Sequence, residues 1–177
     1  RTDMNIVIPD EYQDLVDRLP CYPLLAGHDV VRYREPATNF EQLVERLHPA
    51  EVIVAIRERV EFSRALIERL PNLRLIALVG RNATTIDYAA ATDHGVFVAT
   101  GASNSPTSPA ELTIALIMAA RRNIVAEAER MRRGDWPNTL SHRLSGSTLG
   151  IFGLGAIGSL VARAGAGLVL MHMRGTP

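Results

Sequence analysis

The sequence predicts an α/β fold in which an open, doubly wound parallel sheet precedes a strand, a glycine-rich turn and a helix. Two observations carry this prediction. Five short apolar segments alternate with helical segments over the first hundred residues, and a G-x-G-x-x-G motif begins at Gly153. The strands are near-continuous apolar runs, as in parallel sheets covered by helices on both faces. Ligands of such sheets bind beyond the carboxyl ends of the strands, where the loops 57–62 and 80–84 follow.

The predicted elements of the first hundred residues follow from apolar patterning and from helix-capping signals. Strands are predicted over 5–9, 28–33, 51–56, 73–79 and 96–99. Helices are predicted over 11–19, over 39–47, over 64–70 after Ser63, and in a segment that ends before Gly95. Capping boxes at Thr38-x-x-Glu41 and Thr84-x-x-Asp87 predict where two of these helices begin.

A long helix is predicted after the small, polar linker at 100–108. Ser108, Pro109 and Glu111 suit its N-cap, N1 and N3 positions, and Gly134 can cap its end after Arg133. Its first half is apolar all round, which predicts burial on several sides, and its second half is amphipathic. Such a helix is typical of a bridge between two domains.

Composition excludes several classes of protein. The 177 residues include 19 Lys and Arg against 19 Asp and Glu, and this neutral balance without a basic block argues against a nucleic-acid partner. No segment approaches the roughly 18–20 apolar residues of a membrane span, so no membrane partner is expected. The lone Cys21 can form no internal disulfide and fits a reducing compartment. No histidine pair has metal-ligand spacing, so no metal site is predicted.

The glycine motif lies between a predicted strand, 148–152, and a helical run at 159–166. In a dinucleotide site, Gly153 would permit the tight turn, Gly155 would let the backbone approach a pyrophosphate, and Gly158 would let helix and strand pack closely. Unpaired N–H groups at the helix start would meet the phosphates. The same spacing also occurs in strand–helix turns without a ligand. The acidic residue that usually binds the ribose about 20 residues on is missing, because position 174 is arginine.

Six segments, in this order, make the sequence resemble the D-isomer-specific 2-hydroxyacid dehydrogenases, a group that includes glyoxylate/hydroxypyruvate reductases and phosphoglycerate dehydrogenases. They are LPNLRLI at 70–76, VGRNATTID at 79–87, GVFV at 95–98, AELT at 110–113, RGDW at 133–136 and LSGSTLGIFGLGAIG at 144–158. The resemblance covers nearly the whole chain. It implies a flavodoxin-like substrate domain (4–103), a linker and bridging helix (104–136), and the start of a Rossmann cofactor domain (137–177).

The resemblance implies an NAD(P)-dependent oxidoreductase that interconverts a small 2-keto acid and a D-2-hydroxy acid by hydride transfer. The backbone of the Val79-Gly80 turn would hold the carboxylate and keto group of the substrate. Arg57 and Arg59 follow the third strand, where some relatives have a substrate-binding arginine, and a guanidinium group can bind a carboxylate through two parallel hydrogen bonds. Both could instead be solvated loop charges. Arg81, beside the Val79-Gly80 turn, is a further candidate.

The implied cofactor is NAD or NADP, bound at two places in the sequence. Thr107 would lie on the nicotinamide side, unless its hydroxyl serves only a turn or cap. The remaining cofactor-binding residues form the glycine loop, namely Gly153, Gly155, Ala156, Ile157 and Gly158. The family's catalytic arginine, glutamate and histidine lie later in the cofactor domain. None can be placed here, so no catalytic residue is predicted and a truncated or incompletely recorded enzyme is expected.

The last residues admit two interpretations. His172 to Pro177 resemble a family stretch, His-x-x-x-Thr-Pro, that follows a later cofactor-domain strand, with everything between omitted; we favour this interpretation. Alternatively, 168–173 is simply the second strand of the cofactor domain. Arg174 would then close that strand and favour the 2′-phosphate of NADP. In both interpretations His172 is structural.

Two other functions stay open on the sequence alone. One is a non-catalytic dinucleotide-binding or interaction fragment on the same scaffold, since a fold can host unrelated roles. The other, a receiver-like domain, explains neither the long helix nor the glycine motif. Family members are usually homodimers built on the cofactor domain and long helix, so the resemblance also implies a homodimer. A cytoplasmic location is expected.

Overall fold

The computed structural model describes residues 3–81, 84–101 and 105–168, together with the backbone of 172–176. Parts of the predicted loop at 80–84, the linker at 100–108 and the strand from residue 168 lie outside the described residues. The chain divides into two compact units, Arg1–Asn104 and Ser105–Pro177. Their assignment as a substrate domain and the start of a cofactor domain stays a prediction.

The first unit contains a five-stranded, entirely parallel sheet. Its strands are β1 (Asn5–Ile8), β2 (Asp29–Arg32), β3 (Val52–Ile56), β4 (Leu75–Val79) and β5 (Phe97–Thr100). They pair in the order β2-β1-β3-β4-β5. This is the flavodoxin-like order of a doubly wound sheet, with its switch point between β1 and β3. The predicted fold class is confirmed.

Three helices pack with this sheet: α1 (Phe40–Leu47), α2 (Arg64–Ile67) and α3 (Tyr88–Asp93). The core lies between them and the central strands, where Leu47, Ile53, Phe62, Leu66 and Ile76 are fully buried. Each such side chain contributes roughly 1.5–3 kcal/mol through burial. This core therefore fixes the strand ends from which the carboxyl-edge loops begin.

The predicted helix over 11–19 is wrong. This segment contains only a 3₁₀ turn at Val16–Arg18, and a second 3₁₀ turn follows at Tyr22–Leu25. The buried carboxylate of Glu11 accepts hydrogen bonds from the N–H groups of Leu15, at 2.7 Å, and Val16, at 3.4 Å. A side chain thus binds donors that a helix would use, and the left-handed φ of 49° at Asp14 also interrupts a right-handed helix.

The helix starts in this unit differ from the predicted capping boxes. Asn39, not Thr38, caps α1, and its side chain accepts from the N–H of Gln42 at 2.9 Å. Asp87, not Thr84, caps α3 and accepts from the N–H of Ala90 at 2.8 Å. Ser63 precedes α2 as predicted but makes no side-chain cap, and that helix ends at Ile67 instead of residue 70.

The second unit begins with two helices where one was predicted over 109–133. They are α4 (Thr107–Arg121) and α5 (Ile124–Arg132). Asn123 separates them in a left-handed conformation, with φ 54°, which asparagine tolerates better than most residues. The predicted burial of the apolar half is also wrong for Leu112 and Leu116, which are about 60% exposed.

The remainder of the second unit is a strand, a glycine turn, a helix and a second strand. These are β6 (Thr148–Phe152), α6 (Ala156–Gly167) and β7 (His172–Thr176). The strand and helix predicted around the glycine motif are therefore present. β7 pairs in parallel with β6, with Phe152 opposite Thr176. The first strand of a Rossmann sheet neighbours both the second and the fourth, so this pairing is compatible with both interpretations of the last residues.

Candidate functional site

The three glycines of the motif occupy three different environments. Gly153 has a left-handed φ of 85° directly after β6, which makes the tight turn possible. Gly155 is the N-cap of α6, and a Cβ placed on it would meet no atom within 4 Å. A Cβ on Gly158 would lie 2.1 Å from the carbonyl oxygen of Gly153. Each glycine thus has one of the three roles that a dinucleotide site requires. Gly153 makes the tight turn, Gly155 leaves space for a ligand to approach, and Gly158 lets the helix pack closely on the strand.

The start of α6 offers backbone donors beside this turn. The first N–H groups of a helix, here those of Ala156, Ile157 and Gly158, have no partner within the helix. Among the described residues no other group accepts from them. The hydroxyl of Ser159 donates to the carbonyl of Leu154 at 2.8 Å and so stabilises the turn. Unpaired donors and the positive end of the dipole together favour an anion here.

A groove of about 560 Å³ runs beside the glycine loop. Its walls are β6, the glycine loop, the first turn of α6, and Thr113 and Ile117 of α4. This volume lies within the roughly 300–1,000 Å³ range of small-molecule sites. The groove is therefore of a size that ligand sites have, and the glycine loop at its side offers backbone donors for an anion.

Thr107 lies apart from this groove. It opens α4, is exposed, and lines a separate cavity of about 430 Å³ between α4 and α6, together with Glu111 and Leu160. Its N–H donates to the Ser105 hydroxyl at 3.4 Å. The structure thus brings the five glycine-loop residues together and leaves Thr107 outside the cavity that they line.

The predicted substrate turn follows β4 in the first unit. Val79 is 55% exposed, and Gly80 has φ 151°. The carbonyl of Gly80 accepts from the N–H of Gly101 at 2.8 Å, which ties the turn to the end of β5. A Cβ on Gly101 would lie 3.4 Å from that carbonyl oxygen, so the two backbones approach closely. The turn is thus connected to the end of β5 while Val79 stays open to solvent.

The three loop arginines differ in their surroundings. Arg57 has a left-handed φ of 55°, its N–H donates to the Val79 carbonyl at 3.3 Å, and its side chain is exposed. Arg81 is also exposed. Arg59 is not a solvated charge. It is half-buried, donates to the backbone carbonyl of Asp10, and lies 4.4 Å from the centre of the Tyr12 ring.

A cleft of about 360 Å³ at the carboxyl ends of β1, β2 and β3 was not predicted. Asp10 lines it, is only 6% exposed, and has a left-handed φ of 58°. Burial raises the pKa of the Asp10 carboxyl above its ordinary value, and the nearby charges of Arg46 and Arg59 offset part of this effect. The one available signal was the position of Pro9-Asp10 directly after the first strand, beside the switch point.

Neither a metal cluster nor a membrane-spanning helix is found in the described part of the chain. No group of three or more His, Cys, Asp or Glu side chains there could hold a metal ion. None of its helices is long and apolar enough to cross a membrane.

Comparison with known proteins identifies the family. The family model described as "D-isomer specific 2-hydroxyacid dehydrogenase, catalytic domain" matches residues 7–154. The chain belongs to this family. The matched region of this family member contains the Val79-Gly80 turn. It ends at Leu154, within the glycine loop.

Curated relatives of this family member match most of the chain but little of their own length. It is 37% identical over 125 residues to D-3-phosphoglycerate dehydrogenase of Methanocaldococcus jannaschii, covering 70% of the chain and 24% of that protein. It is 33% identical over 144 residues to glycerate dehydrogenase of Methylorubrum extorquens, covering 77% of the chain and 45% of that protein. The chain therefore spans less than half the length of either relative.

Solved structures of other proteins resemble nearly the whole chain. A phosphoglycerate oxidoreductase from Vibrio cholerae O395 matches with a TM-score of 0.90 and 38% identity, over 98% of this chain and 56% of that one. An NAD-dependent formate dehydrogenase from Staphylococcus aureus, solved in complex with NAD, matches with a TM-score of 0.73 and 26% identity, over 97% of this chain and 56% of that one.

Proposed function

We propose that the protein is an NAD(P)-dependent D-2-hydroxyacid dehydrogenase that interconverts a small 2-keto acid and a D-2-hydroxy acid. The observation that carries this proposal is the geometry of the glycine loop in a chain that belongs to this family. Gly153 makes the tight turn, Gly155 leaves space for a ligand, and Gly158 allows close packing of α6 on β6. Relatives named D-3-phosphoglycerate dehydrogenase and glycerate dehydrogenase act on acids of this class by name.

Each unit contributes one part of the proposed function. In the second unit, the N–H groups of Ala156 and Ile157 bind the cofactor pyrophosphate, which approaches over the bare Cα of Gly155. Bound NAD(P) supplies the hydride chemistry. In the first unit, the Val79-Gly80 backbone orients the carboxylate and keto oxygen of the acid, and Arg57, on the adjoining strand end, adds a charge for the carboxylate.

Both NAD and NADP stay within the proposal. The structure named for a complex with NAD supports NAD as the cofactor of a family member. In this chain Arg174 pairs with Gly150, two residues before the end of β7. If β7 is the second strand of the cofactor domain, an arginine in this region favours a 2′-phosphate. Titration with NADH and NADPH under identical conditions distinguishes the two.

We further propose that the protein is a cytoplasmic homodimer. The free, exposed thiol of Cys21 supports a reducing compartment. Exposed Leu112 and Leu116 on one stretch of α4 support an apolar contact between copies. Light scattering of the purified protein tests the dimer, and fluorescence of a tagged copy in its host cell tests the location.

The proposed activity is tested with the protein as its gene encodes it. NADH or NADPH oxidation is followed at 340 nm with glyoxylate, hydroxypyruvate and pyruvate, and reduction of NAD⁺ is followed with D-glycerate and D-3-phosphoglycerate. Turnover of at least one acid is expected, with D-isomers preferred over L-isomers. No turnover of any of them would overturn the activity. Calorimetry with NADH then separates a protein that binds dinucleotide without catalysis from one that does not bind it.

A further inference from the structure

The unpredicted cleft of the first unit lies where a doubly wound sheet binds its ligands. Loops after β1, β2 and β3 form its walls, and the strand order reverses between β1 and β3. Its polar lining consists of Asp10, Tyr12, Asn39, Arg59, Glu61 and Ser63. The Val79-Gly80 turn follows β4 and is not part of this lining.

The carboxyl group of Asp10 lacks a hydrogen-bond donor within the described residues. Asp10 is 6% exposed, and Arg59 donates to its backbone carbonyl instead of its carboxyl group. The two carboxyl oxygens of Asp10 are not completely enclosed by protein atoms, and Asp10 lines the cleft. These oxygens therefore remain accessible from the cleft. Since buried polar groups are almost always hydrogen-bonded, this acceptor is available to a donor that enters the cleft.

The charges of the cleft favour a neutral donor over an anion. Two carboxyl groups, Asp10 and Glu61, line it against the single guanidinium of Arg59. That guanidinium already donates to the Asp10 carbonyl and stacks on Tyr12. The charge of Arg46 also acts on Asp10, but Arg46 lies outside the cleft lining and donates to the carbonyl of Glu35 at 2.7 Å. The adjacent start of α1 carries Glu41 in its first turn, which offsets the attraction of the helix dipole for an anion. A phosphate placed here would meet carboxyl groups, whereas a hydroxyl would satisfy Asp10.

The spacing of the strands relates this cleft to the proposed substrate turn. β3 lies between β1 and β4, so Asp10 and Gly80 follow strands that are two spacings, about 10 Å, apart. A three-carbon hydroxy acid with a hydrogen bond of roughly 2.9 Å at each end spans a similar distance. A substrate whose carboxylate binds at Gly80 can therefore direct its tail toward Asp10.

We propose that this cleft is a subsite for the hydroxylated tail of the substrate, in which Asp10 accepts a hydrogen bond from the C3 hydroxyl. This inference rests on the proposed function and deepens it. The preferred substrate is then a three-carbon acid with a free C3 hydroxyl, of the hydroxypyruvate and D-glycerate type. The acid that lacks this hydroxyl and the acid that carries a phosphate on it are both disfavoured.

The test compares kcat/KM for hydroxypyruvate with kcat/KM for pyruvate, two acids that differ by this hydroxyl. Asp10→Gly removes the carboxyl group and fits the left-handed φ of 58°. The matched control is Asp14→Gly, which has a similar φ of 49° on the same loop but lies outside the cleft lining. Because both rates come from one preparation, their ratio does not depend on the fraction of folded enzyme.

The expected result is a hydroxypyruvate preference of at least roughly tenfold, equivalent to about 1.4 kcal/mol, in the wild type and in Asp14→Gly. Asp10→Gly should abolish it. Asp10→Asn, which keeps an acceptor but removes the charge, should retain part of it and improve turnover of 3-phosphohydroxypyruvate relative to hydroxypyruvate. An active enzyme whose ratio is the same in wild type and Asp10→Gly would overturn the subsite and leave the proposed function standing.

If the wild type turns over none of these acids, the proposed function fails and the subsite is tested by binding. Calorimetry then compares D-glycerate with D-lactate on the wild type, Asp10→Gly and Asp14→Gly. D-glycerate binding that only Asp10→Gly loses would support the subsite without the activity. Equal binding to all three proteins, or none, would overturn it.

Discussion

A Cβ on Gly158 would stand 2.1 Å from the carbonyl oxygen of Gly153, so α6 packs against the end of β6 at a distance that only glycine allows. Gly155, three residues earlier, has the opposite surroundings, with no atom within 4 Å of its added Cβ. One glycine is therefore required by the folded chain itself. The other is required only if something approaches from outside.

These opposite surroundings predict opposite effects of alanine. Gly158→Ala should lower the free energy of unfolding by about 1–3 kcal/mol or more, as overpacking does. Gly155→Ala should leave it within about 0.5 kcal/mol but weaken NADH binding at least roughly tenfold, because its methyl group would block the pyrophosphate. Urea unfolding and calorimetry measure the two effects.

Gly167→Ala is the control for this pair. It lies at the far end of α6, has no atom within 4 Å of an added Cβ, and should change NADH binding little. Alanine there should be neutral or stabilise by up to about 1 kcal/mol. Equal losses of stability in Gly155→Ala and Gly158→Ala would contradict the division of roles.

Asp10 and Asp14 should contribute to stability with opposite dependence on pH. Burial raises the pKa of the Asp10 carboxyl above its ordinary value of 3.8, so the folded protein holds this proton more tightly than the unfolded chain. Its ionisation therefore destabilises the fold. The penalty is absent well below pH 3.8, develops as the pH rises through the raised pKa, and is complete above it.

Asp14 behaves in the reverse sense, because a hydrogen bond from Arg34 lowers the pKa of its carboxyl. The stabilisation that the ionised Asp14 carboxyl provides is fully present at pH values above its ordinary pKa. It is lost as the pH falls through the lowered pKa of the folded protein. From pH 3 to pH 7, Asp10→Asn should thus gain stability relative to the wild type and Asp14→Asn should lose it. Urea unfolding across this range measures both, and asparagine keeps the left-handed backbone at both sites. Differences of the same sign would contradict this assignment.

The sheet was predictable because each of its strands is a short apolar run, and these runs alternate with helical segments along the chain. The loop after β1 was not, because its conformation depends on Glu11, whose carboxylate contacts Arg32 at 3.5 Å, 21 positions away. Helical spacing of Leu15, Val16 and Leu19 carried no sign of that contact. A buried side chain thus overrode the local pattern and created the loop that carries Asp10.

The candidate sites divide in the same way. The glycine loop was predictable because its residues are contiguous and each glycine has its own steric role. The switch-point cleft was not, since loops after three strands meet there and its key contact, Arg59 to the Asp10 carbonyl, joins residues 49 positions apart. Spacing along the chain cannot reveal such a site, although the predicted sheet already implied an edge where it would form.

The break between α4 and α5 at Asn123 makes a prediction whose sign separates the structure from the continuous helix that the sequence favoured. In a helix interior, alanine is more stable than glycine by about 1 kcal/mol. At the left-handed φ of 54°, the order reverses, because a Cβ costs about 1–2 kcal/mol that glycine avoids. Asn123→Gly should therefore be more stable than Asn123→Ala in thermal unfolding. If Asn123→Ala were the more stable variant, the result would contradict the break at Asn123 and support one continuous helix.

Arg57 is expected to bind the substrate carboxylate because it directly follows β3 and lies beside the proposed substrate turn. Its backbone is left-handed, and its N–H donates to the carbonyl of Val79. Arg57→Lys keeps the charge but loses the bidentate geometry. We expect kcat/KM for the preferred acid to fall about 10- to 100-fold, the effect of losing a charge-assisted hydrogen bond of roughly 1.5–3 kcal/mol. Most of the change should be in KM if the interaction is equal in ground and transition states.

The control for this substitution is Arg74→Lys. Arg74 is exposed and directly precedes β4, at the opposite edge of the same sheet, where its N–H donates to the carbonyl of Glu51. It carries the same charge without access to the carboxyl-edge loops, so its kcat/KM should stay within about twofold of the wild type. Both lysine variants keep the net charge, so long-range attraction of the anionic substrate is the same in each. A loss confined to Arg57→Lys therefore reports the geometry of carboxylate binding, whereas an Arg57→Lys enzyme as active as Arg74→Lys would exclude bidentate binding by Arg57.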